Sequence, residues 1–119
     1  MTLKRYDFSD FDHVFELFHS RGKLICKSQL PSIGFVTENA ACFLITTNSN
    51  ACFIEWLVAR NVPTKDEEMD AVVNACIQVG AALGFKNCYA LTDVTAVVER
   101  AFKHSFKIEK QKVLLSRGL

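Results

Sequence analysis

Residues 51–68 read Ala-Cys-Phe-Ile-Glu-Trp-Leu-Val-Ala-Arg-Asn-Val-Pro-Thr-Lys-Asp-Glu-Glu, and they decide how this chain folds. From Ala51 to Ala59 the residues are almost all apolar, with aromatic and β-branched members, the pattern of a buried strand. Asn61, Val62 and Pro63 break it. From Thr64 the spacing turns helical: Met69, Val72, Val73, Cys76, Gly80 and Leu83 fall on one stripe, and Gly84 is a natural stop. Thr64 followed by Glu67 predicts a capping box. A strand feeding a helix start is a common place to hold a phosphate, because the helix N-terminus carries partial positive charge. Here that start carries Asp66, Glu67 and Glu68, which repel a phosphate. In a first helical turn such acids complement the dipole by roughly 0.3–1 kcal/mol each.

Upstream, residues 3–6 suggest a short strand. Ser9 or Asp10 can cap a helix that turns Phe11, Val14, Phe15 and Phe18 inward and ends at Gly22. Residues 23–31 read as a loop with room for a short helical turn. Three β-type runs follow, at 33–37, 41–46 and Ala51–Ala59, joined by Glu38-Asn39 and by Thr47-Asn48-Ser49-Asn50. Short polar turns make this an antiparallel meander, and its near-continuous apolar character predicts burial on both faces.

Downstream, residues 87–91 form a strand, and the helix before it has the length of a parallel crossover. Thr92 or Asp93 caps a last helix with Val94, Val97, Val98 and Ala101 inward, and residues 107–115 read as a final strand. The predicted order is β-α-β-β-β-α-β-α-β. That is one α/β (α+β) domain over residues 1–119, a mixed central sheet with helices on both faces.

Composition narrows the function classes. Half the residues are hydrophobic and ten are Phe, so the chain has the makings of a packed core. The formal net charge is +1, too little to draw the whole molecule to nucleic acid or membrane. From Arg100 to Arg117 six Lys and Arg face one acid, Glu109; this reads as a solvated helix end and edge strand, with nucleic-acid contact the weaker alternative. The five Cys (26, 42, 52, 76 and 88) show no metal-ligand spacing and lie mostly in apolar runs, which predicts reduced core thiols, no metal site and a cytoplasmic location. The N-terminus lacks the apolar segment of a signal peptide, and no apolar run is long enough to span a bilayer.

The order of elements, with a helix running into Lys103-His104-Ser105-Phe106, resembles the GNAT superfamily of N-acetyltransferases over nearly the whole chain. That ending is similar to the family's lysine–any–glycine–phenylalanine close, with Ser105 in place of glycine. The resemblance implies acetyl-CoA as donor and a small-molecule or peptide amine as acceptor. It places Leu57, Val58 and Ala59 along the pantetheine arm, and Arg60 and Lys65 near the phosphates. It also implies Glu55 as general base. As Glu55 alternates with Phe53 and Leu57, it is expected on an apolar strand face, where loss of hydration eases proton uptake. The other reading of Glu55 is a carboxylate at a sheet edge, paired with a Lys or Arg.

The chain also departs from the family pattern. Residues 60–71, where relatives have a glycine-bearing phosphate loop, contain no glycine. The position of the family's proton-donating Tyr falls on Ala101 or Phe102, and the early Asn of the last helix is replaced by Val94 or Thr95. These departures imply weakened or absent CoA binding. They open a second reading, a non-catalytic GNAT-fold binding or accessory protein with a protein partner, of the kind bacteriophages carry. The family's habit of pairing through C-terminal strands implies a possible homodimer. Trp56 is expected on the opposite strand face from Glu55, His13 and His19 at exposed positions, and His104 as a helix-end cation.

Overall fold

Alternating apolar side chains make a strand cover two faces at once, and the central strands here do so. In a computed structural model, which describes residues 1–90, 102–107 and 117–118, the elements are β1 (Lys4–Arg5), α1 (Phe11–His19), β2 (Ile33–Val36), β3 (Ala40–Thr46), β4 (Ala51–Ala59), α2 (Lys65–Ala82) and β5 (Asn87–Ala90). Single 3-10 turns at Phe8–Asp10 and Lys27–Gln29 complete the list. The five strands form one sheet in the order β1-β2-β3-β4-β5. Pairing is antiparallel as far as β4, and β4 with β5 is parallel, joined across α2. The predicted last helix, from Thr92 or Asp93 with Val94, Val97, Val98 and Ala101, lies outside the described residues, as do residues 108–115 of the predicted last strand.

Two apolar clusters sandwich the sheet. On one face Ala40, Cys42 and Leu44 of β3 and Cys52, Ile54 and Ala59 of β4 pack under Met69, Val72, Val73 and Cys76 of α2. On the other, Ala41 and Phe43 of β3 and Val58 of β4 pack under Val14, Leu17 and Phe18 of α1. Helices therefore cover both faces, as the meander's apolar runs predict. Two predictions about the inward stripes are corrected. Leu17 joins the buried face of α1, while Leu83 is 56% exposed because it lies beyond the last turn of α2.

Both helices stop by the same device. Gly22 (φ 79°) lets Lys23 N–H reach Phe18 O and Gly22 N–H reach His19 O. Gly84 (φ 92°) does the same with Phe85 to Gly80 and Gly84 to Ala81. These are Schellman closures, which need a left-handed residue after the last turn.

A second glycine role is steric. Gly34 pairs with Phe43, and a Cβ on it would lie 2.4 Å from the Phe43 ring. The missing side chain is filled by that ring, which meets Tyr6 edge-on at 5.0 Å.

Candidate functional site

The site grows from an irregularity in β4. Phe43 is opposite Glu55 and Ala41 is opposite Val58, so two steps along β3 are matched by three along β4. One extra residue is a β-bulge. It centres on Trp56, whose φ of 55° puts a bulky aromatic in the region normally left to glycine. The bulge shifts the alternation. Cys52 and Ile54 face α2 before it, and Leu57 and Ala59 face α2 after it. Glu55, through its partner Phe43, and Trp56 both face α1. The predicted placement of Trp56 on the face opposite Glu55 is thus corrected, as is the placement of Leu57 on the face of Glu55.

Glu55 is half-buried in an interior strand, between β3 and β5, not at a sheet edge. No hydrogen bond or ion pair reaches its carboxylate among the described residues. The alternative of an edge carboxylate paired with Lys or Arg is therefore not what the structure shows. Its surroundings on that face are aromatic. Phe53 lies within 5.7 Å of Tyr89, ring centre to ring centre, across the parallel pair. Trp56 receives the edge of Phe18 at 5.9 Å and the ammonium of Lys23 over its ring at 4.4 Å.

The described β4–β5 pairing ends at Ile54 and Ala90. Beyond it, Val58 and Ala59 pair with Ala41 and Ala40 of β3 and are buried. Leu57, half-buried, leans on the α2 cluster. Arg60 donates its backbone N–H to Asn39 O at 2.8 Å, so that group is already satisfied. The side chains of Arg60 and Lys65 are half-buried and carry no ion pair among the described residues.

The start of α2 is organised by one of its first-turn acids. Glu68 is only 2% exposed and turns inward. It accepts Asn39 N–H and Asn39 Nδ2 at 2.9 Å each, and the Thr64 hydroxyl at 2.6 Å. Burial pushes its carboxyl up, but hydrogen bonds from Thr64, Thr37 and Asn39 outweigh that and hold it at about 2. Thr64 makes no side-chain cap on the helix, so the predicted capping box with Glu67 is replaced by this Thr64–Glu68 bond. Two exposed acids, Asp66 and Glu67, remain beside the place expected for phosphates.

His13 departs from its expected exposed position and His19 keeps it. His13 is half-buried with Nε2 2.8 Å from Thr37 O, while His19 is exposed and stacks on Phe15. The ring nitrogens of His104 lie 2.8 Å from Asn74 Oδ1 and 3.0 Å from Asp70 Oδ1, clamping it to α2. Cys42, Cys52 and Cys76 are buried core thiols, while Cys88 is half-buried and Cys26 is exposed. Cys76 beside it, and then burial, push the Cys42 thiol up, and burial with neighbouring Cys52 pushes Cys88 to about 12. Among the described residues no group of three or more His, Cys, Asp or Glu is placed to hold a metal ion. None of their helices is long and apolar enough to cross a membrane.

Sequence reasoning overlooked Lys23 and Asn39. Both come from turns that only the fold brings to β4 and α2. The one available signal was Gly22, which fixes where Lys23 sits.

A mixed sheet with a bulged strand running into a helix through a parallel crossover recurs in solved structures. No protein-family model matches the sequence, and no curated protein matches it. Solved structures do. A candidate acetyltransferase from Agrobacterium tumefaciens superposes with a TM-score of 0.79 at 15% identity, over 98% of this chain and 100% of that one. An aminoglycoside acetyltransferase from an uncultured soil metagenomic sample, in complex with sisomicin, gives 0.76 at 16%, over 99% and 95%. Rv2747 from Mycobacterium tuberculosis, in complex with CoA and NLQ, gives 0.76 at 18%, over 96% and 76%. The chain shares the fold of these acetyltransferases.

Proposed function

We propose that this chain transfers an acetyl group from acetyl-CoA to a primary amine, with Glu55 as general base and with weak hold on the donor's phosphates. The observation that carries the reading is Glu55 itself, a half-buried carboxylate without a partner beside a strained bulge. A half-buried carboxylate that no hydrogen bond or ion pair engages is open to accept a proton from a bound amine. The neighbour solved with CoA supports acetyl-CoA as the donor at the level of the fold.

Acetyl-CoA would supply the activated thioester. The backbone of Leu57, Val58 and Ala59 would line the pantetheine arm, and Arg60 and Lys65 would face the phosphates. Asp66 and Glu67 stand against that charge, and no glycine in residues 60–71 opens the backbone to phosphate oxygens. Affinity then rests on the arm and not on the phosphates. Glu55 takes the amine's proton, directly or through one water, as nitrogen bonds to the acetyl carbon and the carbon–sulfur bond breaks. The leaving sulfur takes its proton from water, since neither Ala101 nor Phe102 can donate one.

The acidic start of α2 favours the competing reading, a GNAT-fold binding protein that serves a protein partner. One assay separates the two. Acetyl-CoA is mixed with primary alkylamines and free thiol is followed. Amine-dependent thiol release, reduced about 10²- to 10⁴-fold in Glu55→Gln, is the expected result. Absence of amine-dependent release from the wild-type chain contradicts the enzyme.

A further inference from the structure

Building on that reading, we propose that the face of Trp56 is the seat for the acceptor's ammonium, that Lys23 is a built-in occupant of that seat, and that the acceptor is an unbranched primary alkylamine.

Four observations converge on the bulge. First, Trp56 holds a left-handed conformation that costs a bulky residue about 1–3 kcal/mol, so the surrounding structure imposes it. Second, the extra residue puts the Trp56 ring on the same face as Glu55, where ordinary alternation would have separated them. Third, the ring is already shown to take an alkylammonium: Lys23 Nζ lies 4.4 Å from its centroid. The quadrupole of an indole attracts a cation over its face, and Trp is the strongest of the aromatic residues at this. Fourth, the occupant is aimed there. Lys23 follows Gly22 in the Schellman closure of α1, and its N–H is tied to Phe18 O at 3.0 Å. Phe18 in turn braces the Trp56 ring edge-on. One helix stop thus supplies both the brace and the cation.

The seated ammonium belongs to an exposed side chain, and no ion pair ties it to Glu55. It can therefore be displaced. An incoming amine of the same chemistry, a primary ammonium on a straight alkyl chain, would exchange with Lys23 on the ring, on the sheet face that carries Glu55, and pass its proton to that carboxylate through one water. Branched or aromatic amines lack the slender stem that the lysine side chain uses.

Trp56 is the only tryptophan in the chain, so its fluorescence reports the seat alone. The test titrates n-pentylammonium chloride into the wild-type chain, Lys23→Gln and Lys23→Arg without acetyl-CoA, with n-pentanol as the uncharged control. The expected result is a saturable fluorescence change with the amine and none with pentanol. Binding should be about 3- to 10-fold tighter in Lys23→Gln, where the internal competitor is gone, and should stay at the wild-type level in Lys23→Arg. Equal affinity in Lys23→Gln and wild type, or an equal response to pentanol, overturns the seat. Since no acetyl donor is present, failure here leaves the transfer reaction standing, and failure of thiol release leaves the seat standing.

Discussion

Two glutamates divide this molecule. Glu68 at the start of α2 is buried and Glu55 in β4 is half-buried, and there the likeness ends. Glu68 is saturated by Asn39 and Thr64 and held ionised, locking the β2–β3 turn to the helix. Glu55 has no partner among the described residues and sits beside a strained tryptophan. A buried carboxylate with every lone pair engaged belongs to the architecture, while one left without partners is available for chemistry. The contrast also explains the acidic helix start. One of its three acids is a strut and is not presented to a phosphate.

Exchanging each acid for its amide separates the two roles most sharply. Glu55→Gln should lower acetyl transfer about 10²- to 10⁴-fold and leave unfolding within about 0.5 kcal/mol of wild type. Glu68→Gln should do the reverse in kind, losing roughly 2–4 kcal/mol in urea unfolding, because an amide nitrogen replaces an acceptor facing fixed donors. A large stability loss from Glu55→Gln, or none from Glu68→Gln, would break the comparison.

Acid should tell them apart next. The Glu68 carboxyl falls from its ordinary 4.5 to about 2 on folding. A group whose folded value is lowered contributes stability above its unfolded value and loses it as pH falls toward the folded one. About 3 kcal/mol should therefore fade between about pH 4.5 and pH 2, and that loss should be missing from Glu68→Gln. Urea midpoints measured across the range check it.

A smaller effect reaches Glu55 through its cross-strand partner. Gly34→Ala drives a methyl to 2.4 Å from the Phe43 ring, so the ring must shift. The expected loss is about 1–3 kcal/mol, seen in thermal unfolding. Because Phe43 pairs with Glu55, transfer should weaken along with stability.

The strands from Ile33 to Ala59, the long helix and both glycine stops could be read in the sequence, because period and turn chemistry are local properties. The bulge could not. In a run as apolar as residues 51–59, one extra residue leaves no mark on the pattern, since either face accepts Trp or Leu. The inward turn of Glu68 is illegible for a related reason: an acid in a first helical turn fits solvent well, and turning inward depends on Asn39, a residue of a distant turn. Lys23 over Trp56 is a meeting of the same kind. Glu55 stood out because an acid amid Phe, Ile, Trp and Leu conflicts with its neighbours at the level of sequence.

The most direct measurement is a calorimetric titration of acetyl-CoA into the chain at low and high salt. Weak, saturable binding that changes little with salt is expected, because the arm and not the phosphates supplies the affinity. No heat at millimolar acetyl-CoA would contradict it.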